Sequence, residues 1–227
     1  MVEIGPGRGV LTDRLVANAG RVVAIELDHA LAELLRERYA HRPNVEIVER
    51  DVLKTSLGAL AGGDYLLAGN VPYYITTPIL FHALQAPMPR RAVYLVQREV
   101  AERATAGPGS KIYGALSVTL QSVAMVTRAF DVPAGAFRPP PKVESSVMTV
   151  VPRSDPLIAP EERDRFQGFV QGMFGLRRKQ LVRVLRTLLA ADAEQVETTL
   201  RSLGIDPTAR PETLAPAEIV QLFRAVR

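Results

Sequence analysis

Three clusters of residues in this 227-residue chain are of types and spacings that could do chemistry. The first is Gly5-Pro6-Gly7-Arg8-Gly9, directly after the apolar run that ends at Ile4. Glycines after a strand let the backbone approach a ligand without a Cβ in the way. The helix expected next would aim free N–H groups and its positive dipole end at the same space. A dinucleotide fingerprint would need a third glycine where Val10 stands, and no Lys follows as a phosphate loop requires. The second cluster is a pair of carboxylates at expected strand ends, Glu26 and Asp51. A carboxylate about 20 residues past a glycine loop is placed to accept hydrogen bonds from ribose hydroxyls. Asp51 could accept an amino proton of an adenine, or simply form a turn. Three strand ends carrying such groups point to one nucleoside-bearing ligand.

The third cluster is Asn70-Val71-Pro72-Tyr73. Proline fixes φ, so the Val71 and Pro72 carbonyls are held in a rigid turn. Asn70 adds a side-chain carbonyl, and Tyr73 a flat face on which a base could stack, worth about 1–3 kcal/mol. Together they could grip an exocyclic aromatic amine by its two hydrogens. Such an amine is a poor nucleophile because its lone pair is delocalised into the ring. Accepting both N–H bonds aims that lone pair at an electrophile, so catalysis would rest on proximity and electrostatics rather than on a strong base.

The elements that must position these groups are legible as alternating strand and helix patterns over residues 1–152. The strand candidates are Val22–Ile25, Val45–Val48, Tyr65–Ala68 and Ala92–Val96, each short and apolar as buried parallel strands are. Asp28 is a cap for a helix carrying Leu31, Leu34 and Leu35. Thr77-Pro78 opens another helix. Ala124–Val132 and Ser145–Val151 are two late strands close enough to pair antiparallel. The expected fold is therefore α/β: a Rossmann-like, doubly wound, mostly parallel sheet with an antiparallel last strand, plus a small C-terminal all-α domain. A proline-rich linker at 152–156 would divide domains 1–152 and 153–227, the second all helical.

Composition narrows the classes. Hydrophobic residues make up 47% and charged residues 23%, which is globular rather than disordered. There is no cysteine and only three scattered histidines, so neither a disulfide scaffold nor a metal centre is expected. No apolar run is long enough for a membrane span, and no secretory leader is visible, so a cytoplasmic protein is expected. The net charge is +4, and residues 137–186 carry ten Lys and Arg against five Asp and Glu. That concentration suits a nucleic-acid backbone, with Arg177-Arg178-Lys179, expected near a helix start, as the best phosphate-binding candidate. No exposed apolar stripe stands out, so a monomer is expected. Met1-Val2-Glu3-Ile4 reads as the end of a buried strand, so a preceding segment is expected to be missing.

These motifs together resemble the S-adenosylmethionine-dependent ribosomal RNA adenine N6-dimethyltransferases of the KsgA type. Glu3-Ile4-Gly5-Pro6-Gly7 is similar to the family's cofactor loop. Asn70 to Pro78 resembles its catalytic motif, usually NLPYNISTP, with Tyr74 replacing a polar residue. Phe137 to Ser145 is similar to its FxPPPKVDS segment, Phe174 to Lys179 to its FxxRRK, and Arg210 to Leu214 to its tail. The resemblance implies S-adenosylmethionine as methyl donor, no metal, and dimethylation of two adjacent adenosines in the 3′-terminal hairpin of 16S rRNA in the small ribosomal subunit. It further implies a role in late subunit biogenesis.

Carried over residue by residue, Glu3, Gly5, Gly7, Gly9, Glu26, Asp51, Val52 and Asn70 would bind the cofactor, with the glycines along its methionine part. Asn70 and the Pro72 carbonyl would hold the target amine, with Tyr73 stacking on the base and Phe137 closing the pocket. Lys142, Arg177, Arg178 and Lys179 would bind RNA. The family's N-terminal GQNFL-type segment has no counterpart here. Three other readings exist: a large-subunit rRNA adenine methyltransferase, a non-catalytic small-subunit assembly factor, and a nicotinamide dehydrogenase. The Phe137–Ser145 segment and the tail disfavour the first, and Val10 the last.

Overall fold

A computed structural model describes residues 1–226. The chain forms two compact units, one of residues 1–101 with 126–152, the other of residues 102–125 with 153–227.

The first unit is built on a seven-stranded sheet. Its elements in chain order are β1 (Val2–Ile4), α1 (Val10–Asn18), β2 (Val22–Glu26), α2 (His29–Arg38), β3 (Val45–Glu49), α3 (Leu57–Ala61), β4 (Leu66–Asn70), α4 (Thr76–His82) and β5 (Arg91–Gln97). After α5 (Arg98–Thr105) and α6 (Ala115–Val123) come β6 (Ala124–Val132) and β7 (Ser145–Pro152). The strand order is β3-β2-β1-β4-β5-β7-β6. The pairings from β3 to β5 are parallel, and β7 runs antiparallel to β5. β2 reads Val-Val-Ala-Ile-Glu and is buried along its whole length, as a central parallel strand requires. Asp28 caps α2, accepting the Leu31 N–H at 3.0 Å.

The order reverses between β1 and β4, so their carboxyl ends lie side by side, with Ile4 level with Gly69. Open α/β sheets bind ligands at such a switch point. β5 alternates, burying Ala92, Tyr94 and Val96 on one face. On its other face Val93 and Leu95, with Leu66, Val147 and Phe130, line a cavity of about 1090 Å³. Val10 is 79% and Phe130 60% exposed. The expectation that no apolar stripe would stand out is therefore not met. The stripe is assembled from five elements, and no single one of them displays it.

The second unit holds α7 (Arg163–Gly175), α8 (Leu181–Leu189), α9 (Ala193–Ser202) and α10 (Pro216–Ala225) together with α6. The βα rhythm had placed residues 102–125 with the first 152; the contacts group them with the C-terminal helices. Tyr113 is fully buried, donates to the Leu214 carbonyl at 2.9 Å and meets Phe174 edge-on at 5.9 Å. The expected linker is tied to α6: Arg153 N–H donates to the Val123 carbonyl at 3.0 Å and Leu157 N–H to Ser122 at 2.8 Å. Pro216 opens α10, and Glu218 accepts the Ala215 N–H at 2.7 Å. Among the described residues no helix is long and apolar enough to cross a membrane, and no three His, Asp or Glu cluster as metal ligands.

Candidate active site

The glycine loop leaves β1 in a conformation that L side chains rarely adopt: φ is 65° at Gly5, 56° at Gly7 and 83° at Gly9. Gly7 faces open space, and a Cβ there would meet nothing within 4 Å. Gly9 differs. A Cβ there would stand 3.0 Å from Leu35 and from the Tyr39 hydroxyl, so its smallness serves packing against α2. That helix clamps the loop from behind: Tyr39 donates to Asp13 at 2.7 Å, and Arg38 to the Arg8 carbonyl at 2.8 Å. Neither residue carries a motif signal; both act through contacts more than 25 residues away in sequence.

Glu26 closes the other side of the loop. Its Oε2 accepts the Gly7 N–H at 3.1 Å, and Oε1 accepts the Leu27 and Asp28 N–H groups at 2.8 and 3.0 Å. Asp51 lies past β3, next to the end of β2, where the Arg50 N–H meets the Glu26 carbonyl at 2.9 Å. It takes the turn-forming role: Oδ1 accepts the Leu53 N–H at 2.9 Å and caps the short turn containing the buried Val52.

Glu3, Gly5, Gly7, Asn70 and Phe137 line the same cavity. A Cβ on Gly5 would be 3.5 Å from the Asn70 backbone oxygen, which shows how closely loop and motif approach. Glu3 is 1% exposed, and its Oε2 has no hydrogen-bond partner. Burial pushes its carboxyl up to about 7; the nearby Thr12 hydroxyl works against this, and the Asp13 and Glu26 carboxylates add to it. A side-chain-free cradle beside an orphaned carboxylate oxygen fits S-adenosylmethionine, whose amino-acid end carries an ammonium group.

In the second motif the Pro72 carbonyl, expected to hold the target amine, is already engaged. It accepts the Ile75 N–H at 3.2 Å and the Thr76 hydroxyl at 3.1 Å, so its lone pairs serve the turn. The Val71 carbonyl, held in the same turn, is reached by no protein donor among the described residues. Asn70 is exposed at its strand end. Tyr73 is half-buried, with its hydroxyl 2.6 Å from Ser145 Oγ. Tyr74 is 83% exposed.

The RNA-binding candidates divide. Lys142, Arg178 and Lys179 are exposed. Arg177 is instead ion-paired with Glu212 and donates to the Ser110 carbonyl at 3.1 Å, so it builds the second unit. The cluster lies between the C-terminal end of α7 and the start of α8 at Leu181, near a helix start as expected. Arg178 and Lys179, with Lys111 and Arg210, border a concavity of about 600 Å³.

Comparisons with known proteins identify the family. Residues 1–227 match the family model "Ribosomal RNA adenine dimethylase". "Ribosomal RNA small subunit methyltransferase A" of Acidobacterium capsulatum is 43% identical over 100% of this chain and 81% of its own length. Its namesake in Xanthomonas campestris is 42% identical over 98% and 83%. A dimethyladenosine transferase from Plasmodium falciparum superposes with a TM-score of 0.83 at 25% identity, over 97% of this chain and 87% of that one. The 23S rRNA methyltransferase ErmE gives 0.72 at 28%, over 99% and 89%. The chain belongs to the ribosomal RNA adenine dimethylase family.

Proposed function

We propose that this chain transfers methyl groups from S-adenosylmethionine to the N6 atoms of two adjacent adenosines near the 3′ end of small-subunit (16S) rRNA. The observation that supports the reading is the close approach of Gly5 to Asn70 at the β1/β4 switch point, where Gly5, Gly7 and Asn70 line one cavity. Gly5 and Gly7 would leave room for the methionine part of the cofactor, Glu26 would face its ribose, Asp51 Oδ2 its adenine amine, and Glu3 its ammonium group. When bound, S-adenosylmethionine supplies an electrophilic methyl on a sulfonium.

The chain's own work is to orient the nucleophile. Asn70 Oδ1 and the Val71 carbonyl each accept one N6–H of an adenine stacked on Tyr73. The lone pair then points out of the ring plane. The N6–methyl bond would form as the sulfur–methyl bond breaks to leave a neutral thioether. The now cationic, acidic N6 would give its proton to water, so no strong base is required. After the first transfer one N–H remains for two acceptors, and the second transfer uses the amine held by that one. The adenosine must leave its stack at a cost of a few kcal/mol, which contacts from Lys142, Arg178 and Lys179 to the RNA backbone offset.

Transfer of a labelled methyl group to unmethylated small subunits, with large subunits and naked rRNA as controls, tests this. Two methyls on each of two adenosines, in small subunits only, is the expected result. Labelling of large subunits instead would overturn the substrate assignment. Binding to small subunits without transfer would leave an assembly role.

A further inference from the structure

We propose that Ser145 is a positioning residue for the reaction: its hydroxyl fixes the Tyr73 ring as a ready-made stacking platform for the flipped adenine. The proposal rests on the function given above. The Tyr73 hydroxyl and Ser145 Oγ are 2.6 Å apart, across 72 residues of sequence. Ser145 is fully buried, while Tyr73 is only half-buried. The fixed partner is thus the serine and the restrained one is the ring.

Ser145 has little freedom of its own. It opens β7 opposite Gln97 of β5. Just before it, the Arg98 N–H donates to the Glu144 carbonyl at 3.0 Å, and the Arg98 guanidinium pairs with the Glu144 carboxylate at 2.6 Å. Just after it, the equally buried Ser146 donates to Asp131 of β6 at 2.6 Å. Both neighbours are therefore pinned, and Ser145 is held between them. The Tyr73 backbone is set at its other end by Pro72, whose carbonyl is engaged twice. A ring held at its Cα by one motif and at its hydroxyl by another loses its rotamer freedom before the RNA arrives. Stacking then avoids that entropic cost at the moment of binding. This gives the Phe137–Ser145 segment a second task besides supplying Phe137 to the cavity.

Ser145→Ala and Tyr73→Phe each delete one half of the bond and keep the stacking face. In the full chain assayed on small subunits, each raises KM about three- to tenfold, the range for releasing one ordered side chain, while kcat changes little. The double variant is no worse than either single one, because both remove the same interaction. Tyr73→Phe also serves as the control for folding, since it leaves the buried serine in place. Additive losses, or singles that match wild type while Tyr73→Ala abolishes transfer, would overturn the positioning role and leave the proposed function standing. Full transfer by Tyr73→Ala would remove Tyr73 as the stacking platform and overturn this proposal with it, whereas no transfer by the unaltered chain would overturn the proposed function.

Discussion

Glu3 makes a prediction whose size follows from its surroundings. The side chain is 1% exposed, and its carboxyl titrates at about 7 rather than 4.5. Its folded-state value is raised, so between these values the native state keeps a proton that the unfolded chain has lost. Stability then falls as pH rises through the window from 4.5 to about 7, and is flat outside it for this group. At about 1.4 kcal/mol per unit, the loss across the window is about 3 kcal/mol. Glu3→Gln keeps the shape and removes the charge. Relative to wild type, the variant gains stability from pH 5 to about pH 7 and levels off above it. Urea denaturation of both proteins at several pH values gives that difference directly, and other titrating groups cancel in the subtraction. A wild-type minus variant difference independent of pH would refute the reasoning, since Glu3 would then titrate alike in both states. The same substitution removes the negative charge of the orphaned carboxylate on the cavity wall. It is therefore expected to weaken S-adenosylmethionine binding, measured by calorimetry, while stabilising the fold at pH 8.

Asn70→Ala should lower methyl transfer by at least about a hundredfold, the usual scale for losing one acceptor aimed at the reacting group, with small-subunit binding retained. Undiminished transfer would remove Asn70 from the mechanism. Arg177→Ala should lower the melting temperature, because it strands Glu212 and the Ser110 carbonyl at a cost of about 1–2 kcal/mol. Arg178→Ala should leave melting unchanged and reduce the salt dependence of RNA binding by about one counterion. Gly9→Ala, forced to keep φ near 83° against Leu35 and Tyr39, should cost at least about 1–2 kcal/mol in chemical denaturation.

The sheet was readable because its strands are short and apolar and its connections are ordinary βα units. Once the order reverses between β1 and β4, the glycine loop and Asn70 have to meet, so the site followed from topology plus two motifs. What could not be read depends on which atoms are already engaged. The Pro72 and Val71 carbonyls are equivalent in the sequence. Only the fold shows Ile75 and Thr76 donating to one and leaving the other open. Arg177 and Arg178 are likewise adjacent and identical in type, yet Glu212, 35 residues on, commits the first to the scaffold.

The grouping of α6 with the C-terminal helices has the same kind of origin. Local pattern made 102–125 another helical stretch between strands. Burial of Tyr113, Leu116, Val118 and Leu120, and the Tyr113 bond to Leu214 across 101 residues, assign it elsewhere. Periodicity reports which face of an element is apolar, not what that face meets. The same limit explains Tyr73 and Ser145. A motif reading gives each residue a part in its own segment, whereas the hydroxyl pair joins the segments. If the double-variant cycle shows the coupling, the two motifs work as one device. Substitutions at Glu144, Ser146 or Asp131, which pin the strand around Ser145, would then be felt in RNA affinity.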